Sequence, residues 1–444
     1  MKKVNWNSKI KNIFFFIVCF ILLMVFSCFV FTLNGDTFWN YGFSYNITRG
    51  LIPYVDFNMV IGPFYNLFIS IFLKLFCNYL ITFNIINSLL FSCILLFAFN
   101  KIGWKALIIP LYLGLIPCIF SYNTFCSLLI ILILILLDFN FKYKFFYIGF
   151  IIGAIMMTKH NIGIFLMLIN LLVIHEKREK ILSMFGYSVP IILVIIYLIL
   201  NNALYEYVNF CYLGLGSFMD NFRIDIFSVF LLLLVDTWLI KRYLCMKNIK
   251  ILYLLTFQIV IFPILDFHHI LIALLPTFYY YFSNYENEKK LVFWTKVFFT
   301  SFLIINLTLM LNQSFPVVYK KYTFLRYINL SNNMNYISNF SYYVHEKEKE
   351  NKVYLFYSGA YLIRMYLNEN NSIYDLINNG NLGKKETYYL DQMISNCEKQ
   401  KCLFILENTN LDSQINKDFI DYIRKNYYYL ETLPYGNNVY VNYK

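Results

Sequence analysis

The chain has 444 residues, of which 59% are hydrophobic, 21% aromatic and only 14% charged, with a formal net charge of +12. A soluble globular chain carries roughly 25% charged residues. Here the deficit comes with many apolar runs of roughly 17–25 residues, the length that crosses a bilayer, which excludes a soluble enzyme, a disordered chain and a secreted disulfide scaffold.

The charges are unevenly spread. Residues 1–312 hold 22 Lys+Arg and 12 Asp+Glu, whereas 313–444 hold 15 and 13. The sequence therefore reads as a membrane block, 1–312, followed by a water-facing domain, 313–444, long enough to bury its own core. Most of the positive excess sits in the block, in short loops between apolar runs, as the positive-inside rule predicts. No continuous basic face marks a nucleic-acid partner. Of the 10 Cys, only Cys397 and Cys402 lie in the tail; they suit one local disulfide if the tail is extracytoplasmic.

In chain order, a Lys-rich start (Lys2, Lys3, Lys9, Lys11) precedes a first helix at about 13–33. No small-residue cleavage site follows it, so it reads as a retained helix with a cytoplasmic N-terminus. A polar, aromatic first loop spans 34–57. Helices follow at about 59–76 and 80–99, then NKIGWK, then 106–137, broken by Pro110, Pro117 and the SYNT at 121–124. Later helices fall at about 145–157, 162–174, 182–200, 226–240, 251–265, 270–282 and 291–311.

Lys142/Lys144, HEKREK at 175–180, Lys241 to Lys250 and Lys289/Lys290 should face the cytoplasm. The first loop, TKHN at 158–161, 201–225, DFHH at 266–269 and the tail then face outside. Strict alternation puts NKIGWK outside despite its lysines. Counting 106–137 as one span plus a re-entrant piece restores the parity, giving about 11 spans. In the tail, KVYLFYSG (352–359) and CLFILE (402–407) read as buried strands and NNVYVNY (437–443) as an edge strand. Residues 413–426 place Ile415, Phe419, Ile420 and Ile423 on one helical face. The expected fold is an α-helical polytopic membrane protein with a small C-terminal extracytoplasmic α/β domain.

Ionisable groups at membrane depth are costly, so each is a functional candidate. Asp36, directly after the first helix, is placed to act as a general base toward a hydroxyl; its plainer role is to cap the following segment. Arg49, Tyr54 and Asp56 in the same loop are weaker substrate-site candidates, as is Asp266 further on; a salt bridge that folds the loop is the plainer account of Arg49 and Asp56. Lys159 and His160 can bind a phosphate as point charge and donor; otherwise Lys159 snorkels to headgroups. Asp266, His268 and His269 can hold a phosphate or belong to a capped helix end. Adjacent His residues point in different directions on a helix, so only one of them is expected to face a site. A metal is disfavoured for want of further clustered His ligands, and no cofactor is called for. Glu206, Asp220, Arg223 and Asp225 mark a fourth loop that either joins an acceptor cleft or is ordinary hydrated chain.

Taken in order, these residues resemble the polytopic GT-C glycosyltransferases, and more narrowly the glycosyltransferase family 39-like branch of protein O-mannosyltransferases and aminoarabinose transferases. The likeness rests on Asp36, Tyr41 or Tyr45, Gly50, Pro53, Tyr54, Asp56 and Pro63, then on Lys159, and then on Pro263, Asp266, His268/His269 and Pro276. The sequence departs from the family at Asp36-Thr37, where many members carry Asp-Glu. Ser121, Tyr122 and Asn123 also stand where a second membrane-face Asp is usual. The resemblance implies a multi-pass plasma-membrane enzyme that moves a sugar from a polyprenyl-phosphate donor to an acceptor hydroxyl on a glycan, lipid or protein, inverting the anomeric carbon. It makes Asp36 the base and gives Lys159, His160 and His268 or His269 the donor phosphate. A lipid-linked saccharide transporter and a polysaccharide polymerase or ligase remain the alternatives.

Overall fold

The computed structural model describes residues 6–27, 36–116, 118–214, 223–262, 264–284, 333–356, 360–367, 369–370, 372–373, 375, 386–406, 417–433 and 436–443. The helix expected at 291–311, the end of the first helix beyond 27, Asp220, Pro263 and Ile415 lie outside the described residues.

The helical block begins with α1 (Trp6–Ser27), α2 (Asp36–Thr48), α3 (Phe64–Leu75), α4 (Leu80–Ile102), α5 (Ile108–Leu113) and α6 (Tyr122–Asp138). It continues with α7 (Lys144–Met156), α8 (His160–Val173), α9 (Lys177–Leu200), α10 (Leu204–Val208), α11 (Ile226–Met246), α12 (Ile249–Phe257) and α13 (Phe267–Asn284). Three helical stretches among the described residues are long and apolar enough to cross a membrane: Lys9–Ser27, Leu80–Leu113 and Lys177–Leu200. Large apolar side chains on α1, α9 and α11, among them Ile17, Phe185, Leu193, Phe230 and Leu233, point outward and exposed. Such a belt is costly in water and matches a lipid surface. By contrast α6 is apolar all round and buried on nearly every face, the mark of a central helix.

Two sets of contacts define the ends of the bundle. At one end, Asp138 closes α6 and binds Lys101 at 3.0 Å and Lys250 from α12. Nearby, Asn170 of α8 donates to Ser183 of α9 and accepts from Tyr253 of α12, and Asn248 donates to Tyr280 of α13. The Lys-rich segments at 142–144, 175–180 and 241–250 adjoin these contacts. At the other end, the first turn of α6 meets the start of α2 and the turn between α7 and α8, and Lys159 of that turn reaches the chain after α12.

This arrangement resolves the parity conflict differently from the expectation. NKIGWK belongs to the Lys-rich end, because Lys101 pairs with Asp138 there. The run 59–76 is not a through-going leg. Its helix, α3, has only 12 residues, and both of its ends stay at the Asp36 end. Phe64 N donates to Met157 O at 3.0 Å, and the Tyr41 hydroxyl donates to Asn78 O at 2.8 Å. Buried Asn66 explains the placement, since it accepts from Ser44 of α2 at 3.2 Å, which ties α3 to α2 instead of to lipid. The stretch 106–137, in turn, is two legs and not one span with a re-entrant piece. Gly103 turns the chain at φ +61°, a value that favours glycine. Trp104 then packs on Phe14 and Phe15 of α1, and Gly114 lies against Phe26, so this segment runs back along α1 before α6 returns.

Two short strands, β1 (Arg223–Ile224) and β2 (Ile264–Leu265), pair in parallel near the Asp36 end. The tail comprises α14 (Asn333–Glu348), β3 (Lys352–Phe356), α15 (Ala360–Tyr366), α16 (Glu386–Lys399), β4 (Cys402–Leu406), α17 (Lys417–Asn426), β5 (Tyr428–Thr432) and β6 (Asn438–Val441). Its sheet has the order β3-β4-β6-β5, with β3 and β4 parallel and the remaining pairs antiparallel, so β6 is not the edge strand expected at 437–443 but is covered on its outer side by β5. The strand β5 was not foreseen: all of its residues are exposed, so it carries no alternation. Phe419, Ile420 and Ile423 are buried as expected, and Cys397 is joined to Cys402.

The tail sits on the Asp36 end. Asn58 of the first loop donates to Ile373 O at 3.0 Å and Asp375 O at 2.9 Å, and its own carbonyl accepts from Tyr361 at 2.8 Å. Beneath this contact, Arg364 and Asp375 form a buried ion pair at 2.8 Å. Burial pushes the Asp375 carboxyl above the usual carboxylate range despite the pull of Arg364.

Candidate active site

Ser121 caps α6, its hydroxyl accepting from Thr124 N at 3.2 Å. That cap starts the helix so that Asn123, on its first turn, is fully buried. Asn123 Nδ2 donates to Asp36 Oδ2 at 3.1 Å, and Lys159 Nζ donates to Asn123 Oδ1 at 3.0 Å. Lys159 also donates to Val260 O at 2.6 Å and stands 5.7 Å over the Tyr122 ring. A carboxylate, an amide and an ammonium thus form one chain across α2, α6 and the α7–α8 turn. Among the described residues, Asn123 is the sole hydrogen-bond partner of the Asp36 carboxylate, and Asp36 and Lys159 make no direct ion pair.

Gly62 brings the first loop onto the lysine turn. Its N–H donates to Thr158 O at 3.0 Å, and a Cβ there would meet Met157 O at 2.1 Å. Only glycine permits that approach.

His268 and His269 divide as helix geometry requires. His269 turns to Asp266, pairing through Nδ1 at 2.8 Å while its backbone N–H donates to the same carboxylate at 2.8 Å. Asp266 is therefore the cap of α13. Burial pushes its carboxyl up, but His269 outweighs that and holds it below the usual range. The His268 ring packs edge-on against that of His269, centroids 5.2 Å apart, and lies within electrostatic range of Asp36. Both of its buried ring nitrogens lack hydrogen-bond partners among the described residues, an expensive arrangement for an imidazole unless another group completes it.

The remaining candidates do not join this chain. His160 opens α8, buried, its ring 4.7 Å from that of Tyr212, with both nitrogens unpaired among the described residues. Tyr54 is fully buried at φ +70°; its hydroxyl donates to Ile61 O at 2.6 Å, and its ring packs on Tyr207 and Phe210. It shapes the loop. Asp56 accepts from Ile52 N at 2.7 Å, and Arg49 is exposed over the Tyr45 ring, so the two make no salt bridge with each other. In the fourth loop, Asp225 caps α11 through Ser228 N at 3.0 Å. Glu206 accepts from Tyr389 of the tail at 3.1 Å.

Sequence reasoning missed Asn123 and the Val260 carbonyl. A polar residue one turn into an otherwise apolar helix was the available signal for Asn123. A backbone carbonyl leaves none. Compared with family models, curated proteins and solved structures, the chain matches none of them.

Proposed function

We propose that this protein is a membrane glycosyltransferase of GT-C type that transfers a sugar from a polyprenyl-phosphate donor to an acceptor hydroxyl at the outer face. The observation that carries the reading is the Asp36–Asn123–Lys159 chain with His268 beside it. A base, a cation and an unsatisfied imidazole meet at one end of an apolar helical block. The Lys-rich end faces the cytoplasm under the positive-inside rule, and the Cys397–Cys402 bridge suits an oxidising exterior for the tail. The count of about 11 spans includes the apolar run 291–311.

In this reading Asp36 accepts the proton of the acceptor hydroxyl. The hydroxyl oxygen attacks the anomeric carbon from the face opposite the phosphate, and configuration inverts. The bond from that carbon to the phosphate oxygen breaks, and its electron pair leaves with the polyprenyl phosphate. Lys159 and His268 stabilise the departing charge, worth most where water is excluded. The isoprenoid chain lies among the helices while the phosphate stays at the boundary.

The test is to incubate the purified protein with a panel of radiolabelled polyprenyl-phosphate sugars and candidate acceptors. Release of polyprenyl phosphate with label on the acceptor supports transfer. Movement of label across a vesicle without release identifies a transporter and overturns the reading.

A further inference from the structure

The chemistry of Asn123 is fixed by its neighbours. An amide offers two donors on nitrogen and an acceptor on oxygen. The ammonium of Lys159 can only donate and the ionised carboxylate of Asp36 can only accept. The amide therefore has one orientation that satisfies both, Oδ1 to Lys159 and Nδ2 to Asp36. The residue is fully buried, on a helix start pinned by Ser121, while Asp36 and Lys159 are each partly buried. Asn123 of α6 touches Asp36, and Tyr122 of α6, Lys159 and His268 of α13 are the charged or titratable groups within electrostatic range of it, as Cys126 of α6 is of Lys159.

Without a spacer, a carboxylate and an ammonium in a dry site would close on each other. The direct pair is strongly attractive at low dielectric, and it would quench the base and spend the cation. We propose that Asn123 is a positioning residue that holds Asp36 and Lys159 one amide apart, leaving the carboxylate for the acceptor proton and the ammonium for the departing phosphate. This rests on the transferase reading above and adds a residue to it.

Two variants test it in the purified full-length protein, with release of polyprenyl phosphate as readout. Asn123→Ala removes both bonds. Asn123→Asp keeps the shape and the acceptor for Lys159 but turns the spacer into a competing charge. Each is expected to lower kcat by about 10- to 100-fold while KM for the donor rises by a smaller factor, because only the phosphate contact through Lys159 is disturbed and the lipid and sugar contacts are untouched. A merely structural role would move KM and solubilised yield along with kcat. Combined with Asp36→Asn, the loss from Asn123→Ala should fall well short of the product of the single losses, since the residues act as a unit. Retention of kcat by either variant, or losses that multiply in full, overturns the positioning role while leaving the transferase assignment intact. Absence of donor turnover in the unmodified protein overturns that assignment, and this proposal with it.

Discussion

The two ends of α6 handle the same pair of charges in opposite ways. At its last residue, Asp138 binds Lys101 and Lys250 directly. At its first turn, Asn123 stands between Asp36 and Lys159. The direct cluster sets one carboxylate between two ammonium groups and ties α4, α6 and α12 together. The spaced one leaves a carboxylate and an ammonium each with bonding capacity in hand. An ion pair closed on itself is a structural joint, whereas one opened by an amide is equipped for chemistry.

Substitution at either end can break or sharpen this contrast. The largest effect is expected from Asp36→Asn, which removes the proposed base: turnover should fall by about 10²–10⁴-fold, measured as release of polyprenyl phosphate. Full turnover in that variant would remove Asp36 from the base role. Lys159→Met should follow, with kcat down by about 10²–10³-fold, the range seen when a charge-stabilising donor is lost. Asp138→Asn is the control at the opposite end. It should leave kcat within about twofold yet cost about 1.5–3 kcal/mol of stability in detergent unfolding, the worth of hydrogen bonds to charged groups. An equal loss of turnover there would erase the distinction between the two ends.

The smallest effect belongs to Asp266→Ala, which removes the cap of α13 for about 1 kcal/mol. Because His269 holds this carboxyl below its ordinary range, its contribution is present above about pH 4, the unfolded value. It is lost as pH falls through the lower folded value. Thermal unfolding of the wild type and Asp266→Ala should therefore converge on acidification, and curves that stay parallel would show that the charge of Asp266 is not what caps the helix.

Much of this was legible along the chain, for identifiable reasons. Asp36, Lys159 and His268 stood out because charge inside an apolar block is rare and costly, and the structure brings them to one end. The Lys-rich loops sorted to the other end, NKIGWK included once its partner Asp138 is seen. The short leg 59–76 misled because apolar length is the same for a helix lying along the end of a bundle as for one crossing it. The tertiary contacts at its two ends and the Ser44–Asn66 bond reveal the difference. Arg49 and Asp56 suggested a pair by charge alone, yet Asp56 is taken by its own backbone at Ile52.

The sequence by itself determined the class of molecule and the short roster of charged residues able to act, since hydropathy and charge are properties of residues in one dimension. Tertiary structure decided that His269 is taken by Asp266, that α3 stays beside α2, and that Asn123 stands between Asp36 and Lys159. Those outcomes depend on helix phase and on contacts between residues 36, 123, 159 and 260, joined across large separations in the chain. No local pattern encodes such a meeting, because the packing of α6 against its neighbours brings the side chains within hydrogen-bonding distance.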